Sequence, residues 1–231
     1  MQTVILAGGL GTRLKSIAGD LPKALVPAAG KPFIERQLEL LRKNGLNEVL
    51  LCIGYKGEMI ETLLGDGSSL RMKIKYSRED ESKLMGTAGA IINAYPLLQD
   101  HFIVLYGDSY LPTDYRKVIN AFHERGCNAL MCVYRNENKW DQSNVAIEGN
   151  MVIFYSKNTE GRKLEYIDYG LSIYKKSVIE HYLTAELPLD LGQIQRELVA
   201  RRQMAAFEVR ERFYEIGKPS GLAELEEYFE A

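Results

Sequence analysis

The chain is poor in the residues that carry much of protein chemistry. Its 231 residues include three cysteines, three histidines and one tryptophan. Cys52, Cys127 and Cys132 have no paired spacing, and Cys52 and Cys132 lie in apolar, strand-like runs, so buried free thiols are expected. His123 and Cys127 are the nearest metal-type pair, and without a second pair they make a poor zinc site. No apolar run approaches the roughly 18 residues needed to cross a bilayer, which argues against a membrane-embedded protein. A large excess of charge of one sign is also missing. The net charge of −2, with 26% charged residues interspersed, argues against nucleic acid as a partner, because a phosphate backbone calls for a basic face. The N-terminus has no charged-then-apolar leader, so a reduced cytoplasmic setting is expected.

What is present begins at the first residues. Gln2-Thr3-Val4-Ile5-Leu6 is a short β-type run, and it opens into Ala7-Gly8-Gly9-Leu10-Gly11-Thr12-Arg13. Glycines at such a place let backbone N–H groups approach an anion, because no Cβ atoms stand in the way. The guanidinium of Arg13 adds a planar fork suited to phosphate. Two familiar phosphate loops are excluded by residue. A P-loop requires Gly-Lys followed by Ser or Thr, and here Gly30-Lys31 and Gly217-Lys218 both precede proline. The dinucleotide fingerprint is met at Gly9 and Gly11, but its third glycine place holds Leu14.

Along the first half, strand-like runs at 2–6, 48–53, 72–77, 101–106 and 128–134 alternate with helical patterns at 33–44, 56–64, 91–98 and 114–125. This alternation predicts an α/β fold with a mostly parallel central sheet and helices on both faces, a Rossmann-like three-layer α/β/α arrangement. The second half, with short strands at 144–148, 151–155, 165–173, 204–209 and 213–216 and helices at 176–183, 191–201 and 220–229, predicts a smaller mixed sheet closing the other side of a cleft. Residues 1–135 are expected to form a nucleotide-binding half and 136–231 a sugar-phosphate-binding half of one domain. In such sheets the cleft lies beyond the carboxyl ends of the strands.

Taken together, Leu6–Leu14, then Pro22-Lys23, then Gly30-Lys31-Pro32, with Gly86-Thr87-Ala88-Gly89, Gly107-Asp108 and Phe213-Tyr214-Glu215-Ile216-Gly217, resemble the sugar-1-phosphate nucleotidyltransferases. The resemblance spans nearly the whole chain. It implies that a phosphate oxygen of a sugar 1-phosphate attacks the α-phosphorus of an NTP and that pyrophosphate leaves. That oxygen is already anionic at neutral pH, so no general base is needed, in keeping with three histidines that all lie outside the motifs. A C-terminal β-helix domain, carried by some relatives, is not expected.

The resemblance also implies roles. Arg13 and Lys23 are the catalytic candidates, for the β- and γ-phosphates and for the α-phosphate respectively. Leu6, Ala7, Gly8, Gly9, Gly11, Thr12, Gly86, Thr87 and Gly89 are expected around the nucleotide, with Glu79 or Glu81 offered to the base: a carboxylate matches the adjacent N1–H and amino group of guanine. Both acids could equally be solvated loop residues. Gly107, Lys157, Asp168 and Gly170 are expected on the sugar phosphate. Lys157 stands in a degraded Glu-Lys-Pro pattern, Ser156-Lys157-Asn158, and Asp168 could instead stabilise a turn. Mg²⁺ is the implied cofactor, with Asp108 and Glu215 as ligands. Glu215 replaces the more usual aspartate with a side chain one methylene longer. N-capping of the helix at 114–125 fits Asp114 or Thr113 better than Asp108.

Tyr166-Ile167-Asp168-Tyr169-Gly170 and Tyr214-Glu215-Ile216-Gly217 resemble most the heptose 1-phosphate guanylyltransferase branch. That branch implies GTP and D-glycero-α-D-manno-heptose 1-phosphate as substrates and a place in surface polysaccharide synthesis. UTP-, CTP- or dTTP-dependent transfer to a hexose or amino-sugar 1-phosphate and a non-catalytic nucleotide-sugar sensor stay open, whereas Leu14 and the Arg13/Lys23 pair disfavour a nicotinamide oxidoreductase. The oligomeric state, a homo-oligomer included, is left open.

Overall fold

A computed structural model describes residues 1–9, 19–80, 83, 85–159 and 161–230. The strands, in chain order, are β1 (Gln2–Leu6), β2 (Pro27–Ala28), β3 (Lys31–Pro32), β4 (Glu48–Ile53), β5 (Lys73–Arg78), β6 (His101–Tyr106), β7 (Ser109–Tyr110), β8 (Ala129–Arg135), β9 (Val145–Glu148), β10 (Met151–Tyr155), β11 (Tyr166–Lys175), β12 (Met204–Val209) and β13 (Tyr214–Glu215). The helices are α1 (Phe33–Lys43), α2 (Gly57–Leu64), α3 (Gly86–Asn93), α4 (Tyr115–Arg125), α5 (Lys176–Glu180), α6 (Leu191–Ala200) and α7 (Pro219–Glu230). None of the described helices is long and apolar enough to cross a membrane.

Local chemistry explains most of these boundaries. Pro32 precedes α1 at φ −52°, already suited to a helix entrance. Ile34, Leu38 and Leu41 then bury one face at helical spacing. The helix ends where Gly45 turns left-handed at φ +77°, with Leu46 N donating back to the Leu41 carbonyl and Gly45 N to that of Arg42. Asp114 caps α4 by accepting from the amides of Arg116 and Lys117. The Gly86–Ala90 cluster does not merely open a helix over 91–98. It is itself the first turn of α3, because the Leu189 carbonyl accepts from the amides of Ala88 and Gly89.

One nine-stranded sheet runs in the order β5-β4-β1-β6-β11-β8-β12-β10-β9. The expectation of a mostly parallel sheet with a separate small mixed sheet is corrected here: the second half extends the same sheet and makes it mixed. β5, β4, β1 and β6 are parallel, as are β8 and β12, whereas β11 runs antiparallel between β6 and β8. The halves therefore interleave, since β11 comes from beyond residue 135. Two two-stranded pairs stand outside this sheet, β13 with β7 and β2 with β3.

Alternate residues of a strand point to opposite faces. On one face Ile5, Leu51, Ile103 and Leu105 pack against α1, α2 and α4 through Leu38, Ile60 and Phe122. On the other, Val4, Leu50, Phe102 and Val104 meet α3, α5 and α6 through Ile91, Ile179 and Ile194. A third cluster, Val26, Ala28, Phe33, Tyr110, Ile216, Leu222 and Leu225, lies under the two short strand pairs. It ties α7 to β13. A Cβ on Gly221 of α7 would overlap the carbonyl oxygen of Glu215. Gly221→Ala should therefore force α7 and β13 apart and lower the unfolding free energy by about 1–3 kcal/mol, read from urea denaturation followed by circular dichroism. An unchanged midpoint would show that this close approach costs nothing.

Candidate active site

The parallel register brings three strand ends level. Leu6 stands opposite both Cys52 of β4 and Tyr106 of β6. Gly8 follows β1, Gly54 follows β4, and Gly107 and Asp108 follow β6. The backbones converge closely there. A Cβ on Gly107 would lie 2.8 Å from the Leu6 carbonyl oxygen, and one on Gly54 would lie 3.0 Å from that of Gly8. Ala7 N donates to the Cys52 carbonyl and Gly107 N to that of Leu6.

Asp108 leaves this edge between two carbonyls that Gln37 holds. Gln37 is buried on α1, and its Nε2 donates to Tyr106 O (2.9 Å) and Ser109 O (2.7 Å). In the sequence, its signal is a glutamine that interrupts the apolar face of the helix. Across from Asp108, β13 pairs with β7 so that Glu215 faces Ser109, and Ile216 N donates to Asp108 O. Lys23 follows Pro22 into a short 3-10 turn, and its ammonium forms an ion pair with Asp108. The pair is largely enclosed, with side-chain exposures of 16% and 31%. A Cβ on Gly217 would come 3.3 Å from the Lys23 nitrogen, so Gly217 leaves room for the lysine.

Burial pushes the Glu215 carboxyl up to about 7, with the charges of Asp108 and Asp141 raising it further and Lys23 opposing. The Lys23 ammonium pairs with Asp108 and also opposes the rise of the neighbouring Glu215 carboxyl. No group of three or more His, Cys, Asp or Glu side chains among the described residues forms a metal site by itself. Asp108 and Glu215 offer hard oxygen donors, suited to a Mg²⁺ ion that completes its shell with substrate phosphates and water.

Asp168 lies on β11 where its pairing with β8 slips, between Asp168 and Ser172. Gly170 takes φ +87° in that bulge and donates its N–H to Asp168 Oδ1. The turn-stabilising role open to Asp168 is thus realised in the structure. Its amide is anchored in turn on Asn144 Oδ1 (2.9 Å). Burial raises the Asp168 carboxyl to about 6, while the Gly170 amide and nearby Lys157 favour its charged form. Lys157 forms an ion pair with Asp190 at 3.0 Å, and Asp190 also caps α6 through Gly192 N. Asp190 is a partner that no spacing in the sequence reveals.

Thr87 Oγ1 accepts from Leu191 N, a Cβ on Gly86 would collide with the backbone of Leu189, and one on Gly89 would crowd Met85 and Leu187. The described contacts of this cluster are thus with protein. Glu79 continues from β5 and packs on Gly8, whose Cβ, if present, would lie 3.0 Å from Glu79 Oε1. Burial raises the Glu79 carboxyl. Lys23, Asp108, Gly107 and Glu215 thus meet at the end of β6, beside Leu6, Ala7, Gly8 and Gly9. Gly11, Thr12, Arg13 and Glu81 lie outside the described residues.

Comparison with known proteins shows the family. A family model described as Nucleotidyl transferase matches residues 2–231. The chain is similar to D-glycero-alpha-D-manno-heptose 1-phosphate guanylyltransferase of Campylobacter jejuni, 34% identical over 187 residues, 80% of this chain and 81% of that one. It is 40% identical over 119 residues to the protein so named of Aneurinibacillus thermoaerophilus, a match spanning half of that relative's length. Among solved structures it resembles HddC from Yersinia pseudotuberculosis, 29% identical, with a TM-score of 0.81 over 99% of both chains; that protein is also solved complexed with GMP-PN.

The raised Glu215 carboxyl has a consequence for stability. An acid whose folded pKa lies above its unfolded value holds more protons when folded, so stability falls as pH rises between the two. For Glu215 the window runs from 4.5 to about 7. Solvent still reaches part of this residue, which limits the effect to about 1 kcal/mol. The metal-free protein should lose that much unfolding free energy to urea between pH 5 and 7.5, and Glu215→Gln should flatten the Glu215 part of the profile. A parent profile that rises with pH through this window would contradict the assignment.

Proposed function

Since the chain belongs to the nucleotidyl transferase family, we propose that it joins GTP to a sugar 1-phosphate, foremost D-glycero-α-D-manno-heptose 1-phosphate, releasing pyrophosphate and supplying a GDP-sugar for a surface glycan. One observation carries this reading: Lys23, Asp108 and Glu215 meet at the strand ends beside a glycine-lined edge. Nucleotidyl transfer needs little covalent help from protein. It needs two anions held in line and the growing charge on the leaving pyrophosphate balanced.

Lys23 supplies a positive charge that can turn from Asp108 to the transferring phosphate. Asp108 and Glu215 would hold Mg²⁺, which when bound would neutralise phosphate charge and orient the reacting oxygens. Gly8 and Gly107 let the strand ends that flank the nucleotide edge close on one another, since a Cβ on either would crowd neighbouring protein atoms. Lys157, steadied by Asp190, faces the acceptor phosphate, and Asp168 beside it receives sugar hydroxyls. Arg13 belongs with the β- and γ-phosphates. The half made by residues 1–135 carries the nucleotide and the remainder the acceptor.

Glu79 supports guanine over other bases. A carboxylate can accept from N1–H and from the exocyclic amine together, a pattern that adenine, uracil and thymine do not offer. Its place against Gly8 sets it beside the nucleotide edge.

Pyrophosphate release measured with GTP, UTP, CTP and dTTP, each with heptose 1-phosphate, should show GTP preferred by at least tenfold. Equal rates with the four would discard the guanylyl assignment, and no release from any NTP and sugar phosphate pair would favour a sensor. Lys23→Ala and Asp108→Ala should each lower turnover by about a hundredfold or more, since each removes charge stabilisation at the transferring phosphoryl group. Glu79→Gln should cut kcat/KM for GTP by about tenfold, through loss of a charge-assisted hydrogen bond, and leave the acceptor KM unchanged.

A further inference from the structure

The loop of residues 136–143, between β8 and β9, carries the chain's only tryptophan and has no part in the chemistry above. It is nevertheless firmly built. Buried Asn136 donates from Nδ2 to the Asp141 carbonyl (2.6 Å) and to Ser143 Oγ (3.1 Å), and its Oδ1 accepts from Trp140 N (3.1 Å). Ser143 N donates to Asn138 Oδ1, and Asn138 N donates to Ser143 Oγ. Glu137 and Asn138 are both left-handed, at φ +50° and +60°. Each such residue costs about 1 kcal/mol or more, and here the hydrogen bonds around it hold it in place.

Two contacts decide where the loop points. The guanidinium carbon of Arg212 lies 3.3 Å from the Trp140 ring centroid and 4.7 Å from that of Tyr214, the residue before Glu215. Arg212 is itself held in an ion pair with Glu224 of α7. At the other end of the loop, Gln142 Nε2 donates to Thr159 Oγ1 at 2.6 Å, two residues beyond Lys157. One side of the loop is thus fastened to the strand of Glu215 and the other to the segment of Lys157. Asp141 lies between them in the chain, flanked by Trp140 on Arg212 and Gln142 on Thr159. Its Oδ1 accepts from Gln142 N, and Oδ2 has no partner among the described residues.

We propose that Asp141 is a specificity-determining residue that accepts hydrogen bonds from hydroxyls of the acceptor sugar, with Trp140, Arg212 and Gln142 as positioning residues. The inference rests on reading the site as one for sugar 1-phosphate transfer. A carboxylate is suited to a pair of neighbouring hydroxyls and repels a phosphate. Asp141 therefore favours the orientation in which the hydroxyls face the loop and the phosphate faces Lys157. Metal ligation is a poorer use of it, because it forms no group of three acids with Asp108 and Glu215 close enough to hold an ion.

The test uses the full chain with GTP, Mg²⁺ and heptose 1-phosphate, with pyrophosphate release as readout and Mg²⁺ binding followed by calorimetry. Asp141→Asn should raise the acceptor KM about tenfold and leave the KM for GTP and the affinity for Mg²⁺ within twofold. Trp140→Ala should act in the same direction, and Trp140→Phe should recover most of the loss. Circular dichroism of each variant checks that the fold is kept. If the parent is active and Asp141→Asn leaves the acceptor KM within twofold, the inference is overturned alone. The same holds if the variant weakens Mg²⁺ binding with no change in acceptor KM. A parent that turns over no sugar 1-phosphate would overturn the functional reading, and this inference with it.

Discussion

The ion pair between Lys23 and Asp108 is the interaction on which the site turns. A protein that handles two phosphorylated substrates must hold anions together, and this one adds carboxylates of its own at the same place. Glu215, beside Asp108, has its carboxyl raised above the usual range although solvent reaches it. An ammonium in their midst makes the arrangement tolerable when no substrate is present. The lysine serves the protein as counter-charge to Asp108, and under the proposed function it would also partner phosphate. Its setting between the Asp108 carboxylate and the bare backbone of Gly217 suits both uses.

Packing far from the substrates sets the precision of this arrangement. Asp108 is fixed from behind by the Gln37 amide, which grips the carbonyls on either side of the Gly107-Asp108 turn. Glu215 is fixed by a two-residue strand pair, too short to stand alone. It gains its rigidity from α7 and from the apolar cluster around Phe33, Tyr110 and Ile216. A third element, the Trp140 loop, leans on the same strand through Arg212.

The sequence made the local parts plain. The opening strand and its glycines, the acid after β6 and the late Tyr214-Glu215 pair are written in runs of a few residues, and backbone preferences or a motif suffice to find them. What it concealed depends on partners far along the chain. A β-type run at 166–175 shows that a strand exists but not that it slips between β6 and β8. Gly86 resembles a ligand-facing glycine, yet its near neighbour is the backbone of Leu189, about a hundred positions away. Asp168 admitted two roles from sequence, and only the β11 bulge shows it bonded to the Gly170 amide. Lys157 stood in a weakened pattern, and its partner Asp190 lies in another segment altogether. Residues 10–18, where Arg13 falls, were the clearest part of the sequence and lie outside the described structure.

The insertion of β11 bears on how the molecule is made. During synthesis, β6 is complete at residue 106, but the strand that borders it on one side ends at residue 175. Until then a nascent chain carries an unpaired, apolar strand edge of the kind that invites association with other chains. Many of its pairings span long stretches of sequence, a topology that folds slowly. The amino-terminal half is thus not a free-standing module that a second half later decorates. A gene cut near residue 135 would yield a fragment with an open edge rather than a small nucleotide-binding protein, and recombination between relatives would have to exchange both sides of that seam together.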